Sequence, residues 1–216
     1  MYKYILFDLD GTLTDPAEGI TNSIMYAQQQ MGIEVWDRES LLFFIGPPLK
    51  EAFMEKFGLT EEKAKEMVAH YRVEFPRKGI YENRVYDGVK EMLETLKNSG
   101  KIIALATSKP LKFAETVLNH FGLAKYFDVV VGATFDDTLG RKADIIRMAL
   151  EQCGATDFKE AIMVGDRHHD IDGANENGIV SIGVLFGYGD KKELSDAGAT
   201  YIVESPKQIT DIIIDN

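Results

Sequence analysis

From Asp87 onward the chain alternates between two textures. Five short apolar runs, Lys101–Thr107, Phe127–Val131, Ala161–Val164, Val180–Val184 and Thr200–Val203, do not alternate cleanly with polar residues. Runs of that kind predict strands buried on both faces, as in parallel sheets. Between them apolar residues recur at helical spacing. Val89, Met92, Leu93 and Leu96 follow Asp87; Phe113, Val117, Leu118 and Phe121 follow Pro110; Ile145, Ile146, Ala149 and Cys153 precede Gly154. Asp or Pro at the start and Gly at the end are the usual helix boundaries. Alternating strands and helices predict a parallel sheet covered by helices on both faces. Tyr4–Phe7 adds one strand at the N-terminus.

After Phe7 the next apolar strand is not expected before Lys101, and the gap carries helical patterns only. Asp15-Pro16-Ala17-Glu18 combines a capping acid, a proline at the first helical position and a returning Glu. Ile20, Ile24, Ala27 and Met31 then line one face. Pro47-Pro48 opens a second helix with Leu49, Phe53 and Phe57, and Thr60 caps a third with Ala64, Met67, Val68, Tyr71 and Phe75. The expected architecture is an α/β core with a parallel sheet, formed by residues 1–14 and 83–216, with an inserted α-helical cap at residues 15–82. Its hinges are expected near Thr14–Pro16 and Gly79–Asn83.

Composition narrows the partners. The chain has 216 residues, of which 35 are acidic and 24 basic, for a formal charge of −11. That excess disfavours duplex nucleic acid and anionic membrane surfaces, both of which are bound through Lys and Arg. It leaves room for a phosphate ligand in one local pocket. The single Cys153 allows no internal disulfide framework, which suits a reducing cytoplasm. No apolar run approaches the ~20 residues of a membrane span, and Met1–Phe7 lacks the pattern of a secretory signal. No heptad or exposed apolar stripe speaks to oligomeric state, which is left open.

The residues that can carry chemistry fall at predicted strand exits, where ligands bind in open α/β sheets. Asp8-Leu9-Asp10-Gly11-Thr12 follows the first strand. An Asp-Gly turn is the plain alternative; a calcium loop fits poorly, because its glycine and bidentate glutamate positions hold Leu13 and Gly19. Thr107-Ser108-Lys109 ends the second strand, and its hydroxyls either cap the helix after Pro110 or donate to a phosphate. Lys142 opens a helix, where a cation is unfavourable to the dipole. Asp166 and Asp170 follow the Ala161–Val164 strand, beside His168 and His169, which have no cysteine at zinc-ligand spacing. Carboxylates, hydroxyls, an ammonium and helix N-termini at one edge suit Mg²⁺ and phosphoryl transfer.

FDLDGTLTD, ALATSK, Lys142 and VGDRHHDIDGA resemble the four motifs of haloacid dehalogenase superfamily phosphatases, close to the phosphoglycolate phosphatase-like and 5′-nucleotidase-like members with a helical cap. The resemblance covers essentially the whole chain. It implies that the α/β core is Rossmann-like. It also implies a Mg²⁺-dependent phosphatase that hydrolyses a small phosphate monoester, phosphoglycolate or a nucleoside 5′-monophosphate, through an aspartyl-phosphate. Asp8 would be the nucleophile and Asp10 the general acid and base. Thr107, with Ser108 beside it, and Lys142 would bind the phosphoryl group. Asp166, Asp8 and the main-chain carbonyl of Asp10 would hold Mg²⁺, with Asp170 supporting the metal or Lys142. Glu18, Phe44, Gly46 and Leu49 of the cap are the candidate substrate-selecting residues. Two positions depart from the pattern: Ala143 stands where proline is frequent, making Lys109 a rival phosphate-binding amine, and Ser108 stands where Asn is frequent. A sugar phosphomutase of the same superfamily is the alternative. A phospho-receiver domain is disfavoured by the helical insertion and by two acids on the first strand.

Overall fold

The computed structural model describes residues 1–136 and 138–215; Asp137 and Asn216, both inside the expected core range, lie outside the described residues. Residues 1–15 and 85–216 form one unit and residues 16–84 a second.

The first unit is built on a six-stranded sheet: β1 (Tyr4–Phe7), β4 (Ile102–Pro110), β5 (Val129–Ala133), β6 (Ala161–Gly165), β7 (Val180–Val184) and β8 (Tyr201–Val203). The two-residue strands β2 (Thr14–Asp15) and β3 (Arg84–Val85) mark the two chain passages between the units. The spatial order is β5-β4-β1-β6-β7-β8, and every pairing in it is parallel. The order runs outward in both directions from β1. The doubly wound, Rossmann-like arrangement therefore has its switch point at β1, where a crevice opens at the C-terminal strand edge.

Both faces of the central strands are buried, which is why their sequences do not alternate. Tyr4, Leu6, Ala104, Ala106, Ala161 and Met163 share one core cluster with Ile145, Ile146, Ala149 and Leu150 of α7 (Lys142–Gln152) and Ala174 of α8 (His168–Glu176). The alternate residues Ile5, Phe7, Ile103, Leu105, Ile162 and Val164 are buried as well and face the opposite layer. There α5 (Val89–Asn98) and α6 (Leu111–His120) lie on β4, and α10 (Pro206–Asp215) on α5 and β8. The short α9 (Lys191–Asp196) contacts α8 and β8.

The second unit holds α1 (Ala17–Gln30), α2 (Arg38–Leu41), α3 (Leu49–Phe57) and α4 (Glu61–Glu74), followed by a π-turn at Phe75–Gly79. Thr60 caps α4 by accepting from the Lys63 N–H at 3.3 Å. Gly19 and Gly79 bring α1 and the π-turn backbone against backbone: a Cβ on Gly19 would meet the Gly79 oxygen at 1.8 Å. Two expected caps are not formed. Pro16, without a side-chain bond, precedes α1, and the Asp15 carboxylate instead accepts from the Tyr188 hydroxyl. Gly88, at φ 84°, precedes α5 in place of Asp87, in a left-handed backbone that glycine adopts without steric cost.

Candidate active site

Strand register assembles the site. Phe7 pairs with Leu105 on one side and Val164 on the other. Asp8, the next residue, therefore emerges between Ala106 and Gly165, and its N–H is tied to the Val164 oxygen at 2.9 Å. Asp166 follows Gly165 by one residue. Asp170 stands on the first turn of α8, where its carboxylate accepts from the Arg167 N–H at 3.1 Å. Each of the three side chains offers an oxygen within 4.8 Å of the others, and all three are buried.

Lys142 reaches this cluster from the first turn of α7. Its Nζ lies 2.7 Å from Asp8 Oδ1 and donates to the Ala106 oxygen at 3.1 Å. It also lies 2.8 Å from Asp170 Oδ1, a charge contact rather than an aligned hydrogen bond. Burial alone would lower the Lys142 ammonium, but Asp170 and Asp8 override it and hold its pKa raised. Burial, then Asp170 and Asp8, push the Asp166 carboxyl well above the ordinary range. Burial raises Asp170 too, against the pull of Lys142.

A second ion pair stands beside the first. Lys109 Nζ lies 2.6 Å from Asp10 Oδ2, and both side chains are largely covered. Burial raises the Asp10 carboxyl, with Lys109 acting in the opposite direction. Thr107 is buried, and its hydroxyl accepts from the Lys109 N–H at 3.2 Å, so its own hydrogen remains available to donate. Ser108 is half-buried between them.

The charge count is informative. Lys109 neutralises Asp10. With all three carboxylates ionised, the single Lys142 would leave two negative charges uncompensated in a buried space. Stripping charge of water is costly unless it is paired or bound to a metal. The donors are hard oxygens, and one divalent cation supplies the missing charge, so the residues fit a metal ion. His168 and His169 are not part of this cluster. His168 Nδ1 bonds Asp172 at 2.9 Å, and burial followed by its neighbour His168 holds His169 down to about 4.

One contributor escapes the sequence reading. The Phe186-Gly187-Tyr188-Gly189 loop after β7 wraps Asp166. The Tyr188 N–H donates to Asp166 Oδ2 at 2.8 Å, and Thr12 donates to Oδ1 at 3.2 Å. A Cβ on Gly187 would meet the Gly11 oxygen at 2.3 Å and Asp166 Cβ at 2.4 Å, so only glycine allows the approach. Two glycines spaced around an aromatic at a strand exit were the available signal.

Glu18, Phe44, Gly46 and Leu49 all belong to the helical unit. Glu18 is exposed on α1, and Gly46 and Leu49 are half-buried around the start of α3. Phe44 requires a correction. It is 1% exposed and packs on Phe53 and Phe57 at centroid distances of 5.3 and 5.1 Å, which makes it a core residue of that unit with no free face for a substrate.

A doubly wound sheet with clustered aspartates and a lysine at its switch point is the construction of a phosphoryl-transfer enzyme. The sequence model of the haloacid dehalogenase-like hydrolase family matches residues 5–184, and the chain belongs to that family. A 5′-nucleotidase of Pseudomonas aeruginosa is 46% identical over 193 residues, spanning 89% of this chain and 87% of the relative. The tyrosine-protein kinase PtkA of Mycobacterium tuberculosis is 36% identical across 97% of this chain and 71% of its own length. Among solved structures, a predicted phosphatase of Clostridium acetobutylicum is 47% identical, with a TM-score of 0.96 and both chains covered completely. The chain is a phosphatase of this family, a hydrolase of phosphate monoesters. None of its described helices is long and apolar enough to cross a membrane.

Proposed function

We propose that the enzyme removes the phosphate of nucleoside 5′-monophosphates by way of an aspartyl-phosphate on Asp8, with Mg²⁺ as its cofactor. The observation that carries this reading is Asp8 itself: a buried carboxylate at the switch point, 2.7 Å from the Lys142 ammonium. The nucleotide preference is supported by the 46% identity to a 5′-nucleotidase; phosphoglycolate is the comparison substrate.

In this scheme an Asp8 oxygen forms a bond to phosphorus as the ester oxygen leaves in line. Asp10, its carboxyl raised by burial, gives its proton to that leaving oxygen. It then takes a proton from the water that attacks the phosphorus, the bond to Asp8 breaks, and phosphate departs. Thr107 donates to the transferring group, with Ser108 beside it. Lys142 offsets the charge of Asp8 and of the phosphate, which would otherwise repel. Asp8, Asp166 and the Asp10 carbonyl would hold Mg²⁺, with Asp170 beside them steadying Lys142. The metal would supply the remaining positive charge at the phosphate oxygens. Residues 16–84 would supply the substrate selection, through Glu18, Gly46 and Leu49.

The test is phosphate release from AMP and phosphoglycolate by wild type, Asp8→Asn and Asp10→Asn. Asp8→Asn is expected to be inactive on both. Asp10→Asn is expected to lose ~10²–10⁴-fold in turnover and to recover partly on p-nitrophenyl phosphate, whose leaving group needs no proton. Wild-type activity in Asp8→Asn refutes the nucleophile. A wild type that releases no phosphate and instead requires a sugar bisphosphate would make it a mutase.

A further inference from the structure

We propose that Lys109 is a positioning residue for Asp10: its ammonium clamps one carboxylate oxygen, Oδ2, and thereby reserves the other, Oδ1, for the proton exchanged with the leaving group. This rests on the acid–base role given above to Asp10.

The backbone places Lys109 for that task. β4 runs in register with β5 as far as Thr107 opposite Gly132, and pairing resumes only at Pro110 opposite Ala133. Ser108 and Lys109 are thus extra residues in β4, a bulge of the kind that re-aims a side chain at a site. The bulge is closed by the Lys109 N–H donating to the Thr107 hydroxyl at 3.2 Å. It also needs Gly132, where a Cβ would stand 2.7 Å from the Lys109 oxygen and 2.6 Å from Leu111 Cα. The lysine stem is covered, 5% exposed, so its ammonium is held within a narrow range.

The two oxygens of Asp10 are in different states. Oδ2 is 2.6 Å from Lys109 Nζ. Oδ1 is buried and has no hydrogen-bond partner among the described residues. Buried acceptors in folded proteins are almost always hydrogen-bonded, so an unpartnered one at a site calls for an explanation, and a catalytic role is one of the few. The two ammonium groups therefore divide the work. Lys142 serves the nucleophile Asp8, and Lys109 serves the acid Asp10. A Lys109 that bound phosphate directly would act independently of Asp10, which separates the two roles by experiment.

The experiment is a double-mutant cycle of Lys109→Met and Asp10→Asn, assayed on AMP, whose leaving group needs a proton, and on p-nitrophenyl phosphate, whose leaving group does not. Lys109→Met is expected to lower kcat on AMP by roughly 10–100-fold with little change in KM, and to cost p-nitrophenyl phosphate far less. In the Asp10→Asn background Lys109→Met should have no further effect on kcat. Lys109→Arg, which keeps the charge, should restore part of the loss and stands in if the Met variant fails to fold. A similar KM rise on both esters that persists in the Asp10→Asn background would overturn the positioning role and make Lys109 a phosphate ligand. Asp10→Asn with wild-type turnover on AMP would remove the acid–base role itself, and the inference with it.

Discussion

Consider Asp166→Asn in protein stripped of divalent metal. Oxygens of Asp8, Asp166 and Asp170 lie within 4.8 Å of one another, with Lys142 against two of the three acids. At an effective dielectric of about 20, two like charges at that separation repel by about 3 kcal/mol. Asp166 escapes part of this by keeping a proton, since burial and its two acidic neighbours hold its carboxyl well above the ordinary range. The sign of the pH effect follows. The folded state retains a proton that the unfolded chain releases near pH 4, so this contribution is complete below about pH 4 and is lost as pH rises through the folded pKa. An amide has no charge to lose. Its oxygen can accept from the Tyr188 N–H, and its nitrogen can donate to the Thr12 hydroxyl, in place of the present bonds. Metal-free Asp166→Asn is therefore expected to be more stable than metal-free wild type at about pH 8, by about 1–3 kcal/mol or roughly 3–10 °C in Tm. The advantage should shrink at about pH 5. Mg²⁺ at about 100 times its Kd should stabilise wild type by about 2.7 kcal/mol and the variant by much less. Calorimetric melting with chelator and with Mg²⁺, at both pH values, reads all four terms. A metal-free variant that melts several degrees below wild type at the higher pH, with an undiminished Mg²⁺ shift, would refute the charge argument.

Three further expectations are open to direct measurement. Lys142→Met leaves Asp8 and Asp170 buried without their shared cation; it should cost about 3–5 kcal/mol at neutral pH, less in acid, and equal urea midpoints would contradict this. Gly187→Ala forces the β7 loop away from Asp166 and should weaken Mg²⁺ binding by roughly 10–100-fold in titration calorimetry, whereas an unchanged affinity would show that the loop does not set the ligand. Leu49→Ala should change the ratio of kcat/KM between AMP and p-nitrophenyl phosphate by roughly tenfold; a constant ratio would mean that this residue does not select substrate.

Sequence alone determined the α/β class, because strands buried on both faces must be apolar at successive positions and because helices carry a different period. Tyr4–Phe7 and Val180–Val184 stand as strands at the expected bounds. It also placed Asp8, Lys142, Asp166 and Asp170 at strand exits or helix starts, where the parallel register then joined them. Register is what no local pattern contains. Only the pairing of Phe7 with Leu105 and Val164 sets residues 8, 106 and 165 side by side. The same limit hid other features. The two-residue bulge that turns Lys109 onto Asp10 depends on how β4 meets β5. Asp15 has the local chemistry of a helix cap, but the Tyr188 hydroxyl, distant in sequence, claims its carboxylate. Phe44 was a candidate substrate contact until packing against Phe53 and Phe57 absorbed its surface. Local propensity and period are properties of a few consecutive residues. The partner of a carboxylate, and the face an aromatic ring turns, depend on residues that only folding brings within reach.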